Sequence, residues 1–204
     1  QNSDAFVVVE EVLKESIDST VIADLVELGK DNVVYPVAQT WTTSGNLNTA
    51  RNYLSGSGTQ NAALSFGGYT TVALATTEKF NGSTWTASGN LNTARWHLSG
   101  TGPQNAALSI AGWTTLNVTT TEKFNGSTWT NTGSMNTARR DSGSAGVQNA
   151  ALGFGGGSPS TEKFNGSTWS NANNMNNSFT ANAGAGSQNA ALCFGGYNSN
   201  TEKF

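Results

Sequence analysis

This chain has little charge and few of the residues that build catalytic or metal sites. Charged residues make up 11% of its 204 positions, against about a quarter in an ordinary globular domain. It has one cysteine, Cys193, and one histidine, His97. A single cysteine excludes an intrachain disulfide, and neither residue has a second of its kind for a metal site. We therefore expect no metal, no cofactor and no enzymatic activity.

Basic clusters and long apolar runs are also missing. Without a patch of lysine and arginine to follow a phosphate backbone, nucleic-acid binding is not expected. No apolar stretch is long enough to span a bilayer, so membrane insertion is not expected either. Six tryptophans and nine phenylalanines argue against a disordered chain.

Acidic residues concentrate in the first 40 positions. This part carries eight acids against two lysines, a charge of −6, and the remaining 164 residues carry +3. Apolar residues between Val9 and Leu28 recur every three or four positions, which favours an amphipathic helix. The alternative, which the frequent β-branched residues support, is two strands, at 6–13 and 21–28. We expect residues 1–38 to dock the chain onto other subunits of an oligomeric assembly.

Four near-copies of one segment follow. Two short runs, Gln-Asn-Ala-Ala-Leu and Thr-Glu-Lys-Phe, recur 44 residues apart early in the chain and 40 apart later. Repeats of this period are typical of propellers and arrays, in which each unit buries its apolar face against its neighbours. The runs begin at Gln60, Gln104, Gln148 and Gln188, and at Thr77, Thr121, Thr161 and Thr201.

Each repeat has the pattern of four short strands. The Asn-Gly pair in Phe-Asn-Gly-Ser-Thr-Trp predicts a hairpin with a two-residue type I′ turn between Thr-Glu-Lys-Phe and Ser-Thr-Trp-Thr. A small-residue strand, residues 98–102 in one repeat, and an apolar strand, residues 106–110, complete the unit. Four short strands with glycines at their ends form one propeller blade. The sequence therefore predicts an all-β propeller over residues 39–204.

The repeat resembles the kelch-type β-propeller family. Its marks are a double glycine after an apolar strand, a downstream aromatic pair, and an apolar residue followed by arginine. They stand at Phe66, Gly67, Gly68, Phe80, Trp85, Leu91 and Arg95, and most recur at Phe154, Gly155, Gly156, Phe164, Trp169 and Met175. Two departures are the closer aromatic pair and Phe179, which replaces the arginine of the other repeats. The resemblance implies a fold of four-stranded blades and leaves activity open.

Four blades are the favoured count. The segment Gln39-Thr40-Trp41-Thr42 has the sequence of a blade's outermost strand, and Thr201-Glu202-Lys203-Phe204 has that of its pairing strand. We expect these two segments to pair and close the ring, because closure removes an exposed sheet edge. An array of five to seven blades, of which this chain is a part, is the competing interpretation.

The candidate binding residues lie on the loops that differ between repeats. Turns with Asn-Gly and Gly-x-Gly are expected on one face, and the variable connections on the other, where recognition commonly resides. His97 with Asp141 is the only pair that a serine nucleophile set could use, and a surface histidine is the favoured interpretation. The tentative ligand-binding residues are Tyr69, Trp96, His97, Trp113, Arg140 and Tyr197.

The functional expectation is a non-enzymatic structural or recognition module. Low charge with abundant Asn, Thr, Ser and Gly resembles phage tail or fibre proteins and bacterial adhesins, and implies an extracellular or virion surface. Exposed aromatics beside amides and hydroxyls suit a glycan. An intracellular kelch-type scaffold for protein interactions is the alternative.

Overall fold

The computed structural model describes residues 27–28, 34–35, 40–197 and 199–204. The chain divides into two compact units, residues 1–43 and 44–204. In the first, strand β1 (Glu27–Leu28) pairs antiparallel with β2 (Val34–Tyr35). The helix expected to reach Leu28 is therefore wrong at its last two residues. Otherwise the alternatives for residues 6–28 lie outside the described residues.

The second unit contains four small antiparallel sheets, each made of strands consecutive in sequence. The first blade consists of β3 (Ser55–Thr59), β4 (Ala62–Phe66), β5 (Thr77–Phe80) and β6 (Trp85–Ser88). The second consists of β7 (Ser99–Thr101), β8 (Leu108–Ile110), β9 (Thr121–Phe124) and β10 (Trp129–Asn131). The third consists of β11 (Ser142–Val147), β12 (Ala150–Gly155), β13 (Thr161–Phe164) and β14 (Trp169–Ala172). The fourth has three strands, β15 (Ala183–Ser187), β16 (Ala190–Phe194) and β17 (Thr201–Lys203).

This arrangement confirms the predicted all-β fold of a four-bladed β-propeller. The first strand of each blade is innermost, and residues of all four inner strands line a cavity of about 410 Å³. Glycine, serine and alanine dominate these strands because neighbouring blades approach closely there. At Gly100 an added Cβ would overlap the ring of Phe66 in the preceding blade. In the described part of the chain, no helix is long and apolar enough to cross a membrane.

The predicted hairpins form, but the type I′ turn is wrong. Phe80 pairs with Trp85, so four residues make the loop. The Asn81 side-chain Oδ1 accepts hydrogen bonds from the backbone N–H of Ser83 and Thr84, at 3.0 and 2.9 Å. Gly82 has a φ of 97°, whereas the φ of Asn81 is not positive. The asparagine therefore acts through its side chain, as an Asx turn, rather than through a left-handed backbone.

Tryptophans of the outer strands join neighbouring blades. Trp129 packs on Phe66 of the preceding blade, with ring centroids 4.9 Å apart. Its indole Nε1 donates to Thr77 Oγ1 at 3.0 Å. Trp169 repeats the arrangement, donating to Thr121 Oγ1 at 3.1 Å. Each buried indole thus has its N–H in a hydrogen bond and fills the space between two blades.

Glutamines add a second contact that repeats between blades. Gln104 Nε2 donates to the backbone carbonyls of Ala63 and Phe80 in the first blade, at 2.9 and 2.6 Å. Gln148 and Gln188 make the same pair of hydrogen bonds one and two blades further on. The constant Gln-Asn-Ala-Ala-Leu run is therefore explained by blade packing.

Buried ion pairs hold the connections between blades. Arg95 donates to Glu122 and, at 2.7 Å, to Ser109 Oγ, and the side chains of the ion pair are fully buried. Arg51 with Glu78 and Arg139 with Glu162 occupy equivalent places. Burial lowers the pKa of Arg95, and Glu122 opposes that shift. Three of the four repeated glutamates thus act as structural partners of arginine, each inside its own blade.

Among the described residues, the fourth blade has three strands and no ion pair between arginine and glutamate. Phe179 occupies the arginine position and is 1% exposed. Glu202 instead accepts hydrogen bonds from the backbone N–H groups of Asn176 and Asn177. Residues 40–43 form no strand, and β17 pairs only with β16. The predicted pairing of the Trp41 segment with the last strand joins two separate units, so it stays a prediction.

Candidate functional site

The two faces of the propeller differ as the sequence predicts. An added Cβ at Gly82 would lie 3.6 Å from Asn61 Oδ1, so the Asn-Gly turn sits beside the turn that joins the two innermost strands. The connections after the glycine pairs meet the segments before the inner strands at the opposite ends of the blades. We call this opposite side the loop face.

Short backbone ladders fix the loop face. Asn52 exchanges hydrogen bonds with Tyr69, at 3.1 and 2.9 Å. One blade further on, Trp96 exchanges hydrogen bonds with Trp113, at 3.1 and 2.7 Å. The variable loops therefore begin from rigid points of the scaffold, which holds their aromatic side chains in place.

A series of left-handed residues follows the same face from blade to blade. Tyr53, His97, Asp141 and Ala181 occupy one repeat position and have φ values between 51° and 56°. The N–H of each of the last three donates to the carbonyl of the residue before it in the series, at 2.9 to 3.0 Å. Non-glycine residues held in this region cost about 1–3 kcal/mol each and cluster at functional sites. In this strained backbone conformation, the chemically distinct residues Tyr53, His97 and Asp141 follow one another from blade to blade.

Aromatic rings gather around Trp96. Its ring centroid lies 4.8 Å from that of Tyr69 and 5.3 Å from that of Tyr53. The His97 ring is tilted against two of these rings, with centroids 4.2 Å from that of Tyr53 and 4.4 Å from that of Trp96. Tyr53 is half exposed, and the other three are partly exposed. The rings belong to two blades and form a continuous aromatic surface that solvent reaches.

Charged groups border this surface on the third blade. The Arg140 guanidinium lies over the Trp113 ring, 4.2 Å from its centroid. One carboxylate oxygen of Asp141 contacts His97 Nδ1, and the other lies 3.6 Å from Arg140 Nε. We call the whole set the loop-face cluster. It comprises Tyr53, Tyr69, Trp96, His97, Trp113, Arg140 and Asp141.

Five of the six residues predicted for a binding site belong to this cluster. The sixth, Tyr197, is 88% exposed, and no ring contact involves it in the described part of the chain. Tyr53 belongs to the cluster but was not predicted, although the repeats contain a signal for it. Tyr53 follows Arg51 by two positions, as His97 follows Arg95 and Asp141 follows Arg139. It therefore occupies the same repeat position as His97 and Asp141.

The cluster combines aromatic ring faces with polar and charged groups. Partly exposed rings offer faces for stacking, while Arg140 donates and Asp141 accepts hydrogen bonds. None of the hydrogen bonds found in 40–197 and 199–204 joins the His97 side chain to a serine or cysteine. The described residues also contain no group of three or more His, Cys, Asp or Glu arranged to hold a metal ion. What the geometry supplies is a shallow surface with aromatic and polar parts.

No protein-family model matches this chain, and a comparison with curated proteins finds no match.

Proposed function

We propose that this chain is a non-enzymatic recognition module of a larger surface assembly and that the loop-face cluster binds a glycan. The observation that carries the proposal is the stacking of Tyr53 and Tyr69 around Trp96, with all three rings reaching solvent. The C–H faces of a sugar ring pack well on such rings. Its hydroxyls need the mixed donors and acceptors that Arg140 and Asp141 provide.

The composition supports an extracellular or virion setting. A surface rich in Asn, Thr, Ser and Gly with 11% charged residues resembles that of tail fibres and adhesins. In this proposal the kelch-like repeat supplies a rigid frame, the acidic residues 1–38 attach it to other subunits, and the loop face points outward. Rigid frames of this kind reduce the entropy that is lost when a ligand binds.

A glycan array followed by affinity measurements tests the proposal. We expect binding to at least one glycan class, and Trp96→Ala to weaken it by about tenfold or more, as for a central aromatic anchor. Val72→Ala is the matched control, because Val72 is 60% exposed on a loop of the same face and lies outside the cluster. Circular dichroism confirms that both variants are folded.

Two results would contradict the proposal. One is an array without binding; the other is a bound glycan whose affinity Trp96→Ala leaves unchanged. Capture of a cytosolic protein through the same cluster would favour the alternative, an intracellular interaction scaffold. Trp96→Ala separates that outcome from binding elsewhere, since the partner would be lost only if it contacts the loop face.

A further inference from the structure

A contact between neighbouring blades recurs on the loop face with different side chains each time. Trp96 of the second blade lies against Tyr69 of the first, with ring centroids 4.8 Å apart. At the equivalent place one blade further on, Arg140 lies over Trp113, with its guanidinium carbon 4.2 Å from the ring centroid. The same contact therefore joins two aromatic rings at one blade junction and a cation with a ring at the next.

The next junction has neither a ring nor a charge at this place. There Gly157 replaces the loop aromatic and Thr180 replaces its partner, and a Cβ added to Gly157 would lie 3.6 Å from Thr180 Oγ1. The two junctions that do carry rings are adjacent, because Trp96 and Trp113 exchange backbone hydrogen bonds. They form two neighbouring subsites, one wholly aromatic and one with a positive charge.

The protein leaves most of the Arg140 donors unused. The side chain is 42% exposed, and its contact with an acid, from Nε to Asp141 Oδ2, is 3.6 Å, which is longer than a hydrogen bond. The terminal nitrogens Nη1 and Nη2 make no hydrogen bond to the part of the chain that the structure describes. The other three arginines of the chain are each paired with a buried glutamate. Arg140 therefore offers a fork of two parallel N–H donors to a ligand.

The negative charge nearest to Arg140 is shared with a second group. Asp141 Oδ1 contacts His97 Nδ1, while Oδ2 lies on the Nε side of the guanidinium. The carboxylate thus lies between the imidazole and Arg140 and makes no hydrogen bond to the terminal nitrogens. An anion from outside the chain can bind there, since guanidinium pairs in a bidentate way with groups that present two oxygens.

Trp113 holds the guanidinium ready for such a group. Tryptophan gives the strongest attraction of a cation to an aromatic face. The Trp113 ring is itself fixed by the backbone hydrogen bonds with Trp96, at 3.1 and 2.7 Å. A planar group that is already held on a ring loses less conformational freedom when it binds than a mobile side chain does.

We propose that the glycan bound by the loop-face cluster carries a negatively charged group and that Arg140 binds this group through Nη1 and Nη2. One sugar ring packs on Tyr69 and Trp96, and the charged sugar next to it lies at Trp113. A carboxylate of a sugar acid and a sulfate ester share the required chemistry, because each presents two oxygens to the fork. This inference rests on the proposed glycan binding and names the class of glycan.

Affinities for matched glycans test the inference. One oligosaccharide is compared in three forms: with a sugar carboxylate, with the methyl ester of that carboxylate, and with a sulfate ester on the matching neutral sugar. We expect at least one charged form to bind about tenfold or more tightly than the methyl ester, the effect of one hydrogen bond to a charged group. The tighter of the two charged forms identifies the anion. A methyl ester that binds as tightly as both charged forms would overturn the inference.

Variants of Arg140 show whether this residue recognises the charge. Arg140→Gln should lower the affinity for the charged form to that of the methyl ester and leave binding of the ester nearly unchanged. Arg140→Lys keeps the charge but loses the fork, so it should retain only part of the preference. Lys203→Gln removes the same charge from an exposed position of β17 and is the matched control. A preference that survives Arg140→Gln would overturn the inference.

Trp96→Ala separates this inference from the proposed function. It should weaken the charged and the neutral forms alike, because both place a sugar ring on the aromatic pair. Equal affinity for charged and neutral forms would overturn the inference alone and leave glycan binding intact. Absence of binding to every glycan would overturn the proposed function and this inference together.

Discussion

Replacement of Arg95 by methionine should strongly destabilise the propeller. The side chains of Arg95 and Glu122 are both 0% exposed, and the pair also binds Ser109. Methionine fills part of the space but leaves a buried carboxylate without its cation. Breaking a buried ion pair on one side costs about 3–5 kcal/mol.

The predicted loss can be converted into a melting temperature. For a domain of 150–250 residues, 1 kcal/mol shifts Tm by about 2–4 °C, so Arg95→Met should lower Tm by roughly 6–20 °C. Asn92 and Thr93 still donate hydrogen bonds to Glu122 in this variant. We therefore expect a loss of Tm toward the lower end of that range. Thermal unfolding followed by circular dichroism measures the shift.

Two further variants show whether the charge is the cause. Arg95→Met combined with Glu122→Gln removes the unpaired charge, so its Tm should lie above that of Arg95→Met alone. Arg140→Ala is the control, because its side chain is 42% exposed and its contact with Asp141 is worth at most about 1 kcal/mol. If Arg95→Met and Arg140→Ala melted at the same temperature, the structural role given to the buried pair would be refuted.

Two other predictions concern stability. Gly100→Ala should destabilise the chain by about 1–3 kcal/mol in urea unfolding, since the new methyl overlaps Phe66, and an unchanged midpoint would contradict the close packing of the inner strands. Burial raises the pKa of Glu78, but hydrogen bonds from Arg51 and Asn48 outweigh it, and the net shift is downward. Its contribution should therefore be complete above about pH 4.5 and fall as pH drops through the lowered folded-state pKa. Urea midpoints measured between pH 3 and 7 should show a shallower acid slope for Glu78→Gln, and an identical slope would contradict this role.

The blade architecture could be predicted because its causes are local and repeated. The turn residues and the apolar strand occupy the same positions in each repeat. A prediction made for one Phe-Asn-Gly-Ser-Thr-Trp segment therefore applies to the other repeats that contain it. The prediction of a type I′ turn was wrong for a local reason as well. The Asn81 carboxamide binds two backbone N–H groups, and that competes with the left-handed backbone that an Asn-Gly pair usually favours.

Features that depend on distant residues were harder to predict. The pairing of Arg95 with Glu122 spans 27 residues, and only the recurrence of both in each repeat hints at it. Ring closure by Trp41 was expected from sequence phase alone. That closure stays a prediction.

The candidate binding surface could be predicted only in part. Variable loops drew attention to Tyr69, Trp96 and Trp113, and the structure brings these close to one another or to charged neighbours. Tyr197, chosen on the same grounds, stands apart from them. Its loop lies on the fourth blade, so shared sequence context alone could not place it beside the cluster.

The most direct measurement of the central claim is a crystal structure of the chain with a glycan identified on an array. The account predicts a sugar ring stacked on Trp96 and Tyr69, with hydroxyls within hydrogen-bond distance of Arg140 or Asp141. A glycan bound at any other place, with the loop-face cluster empty, would contradict it.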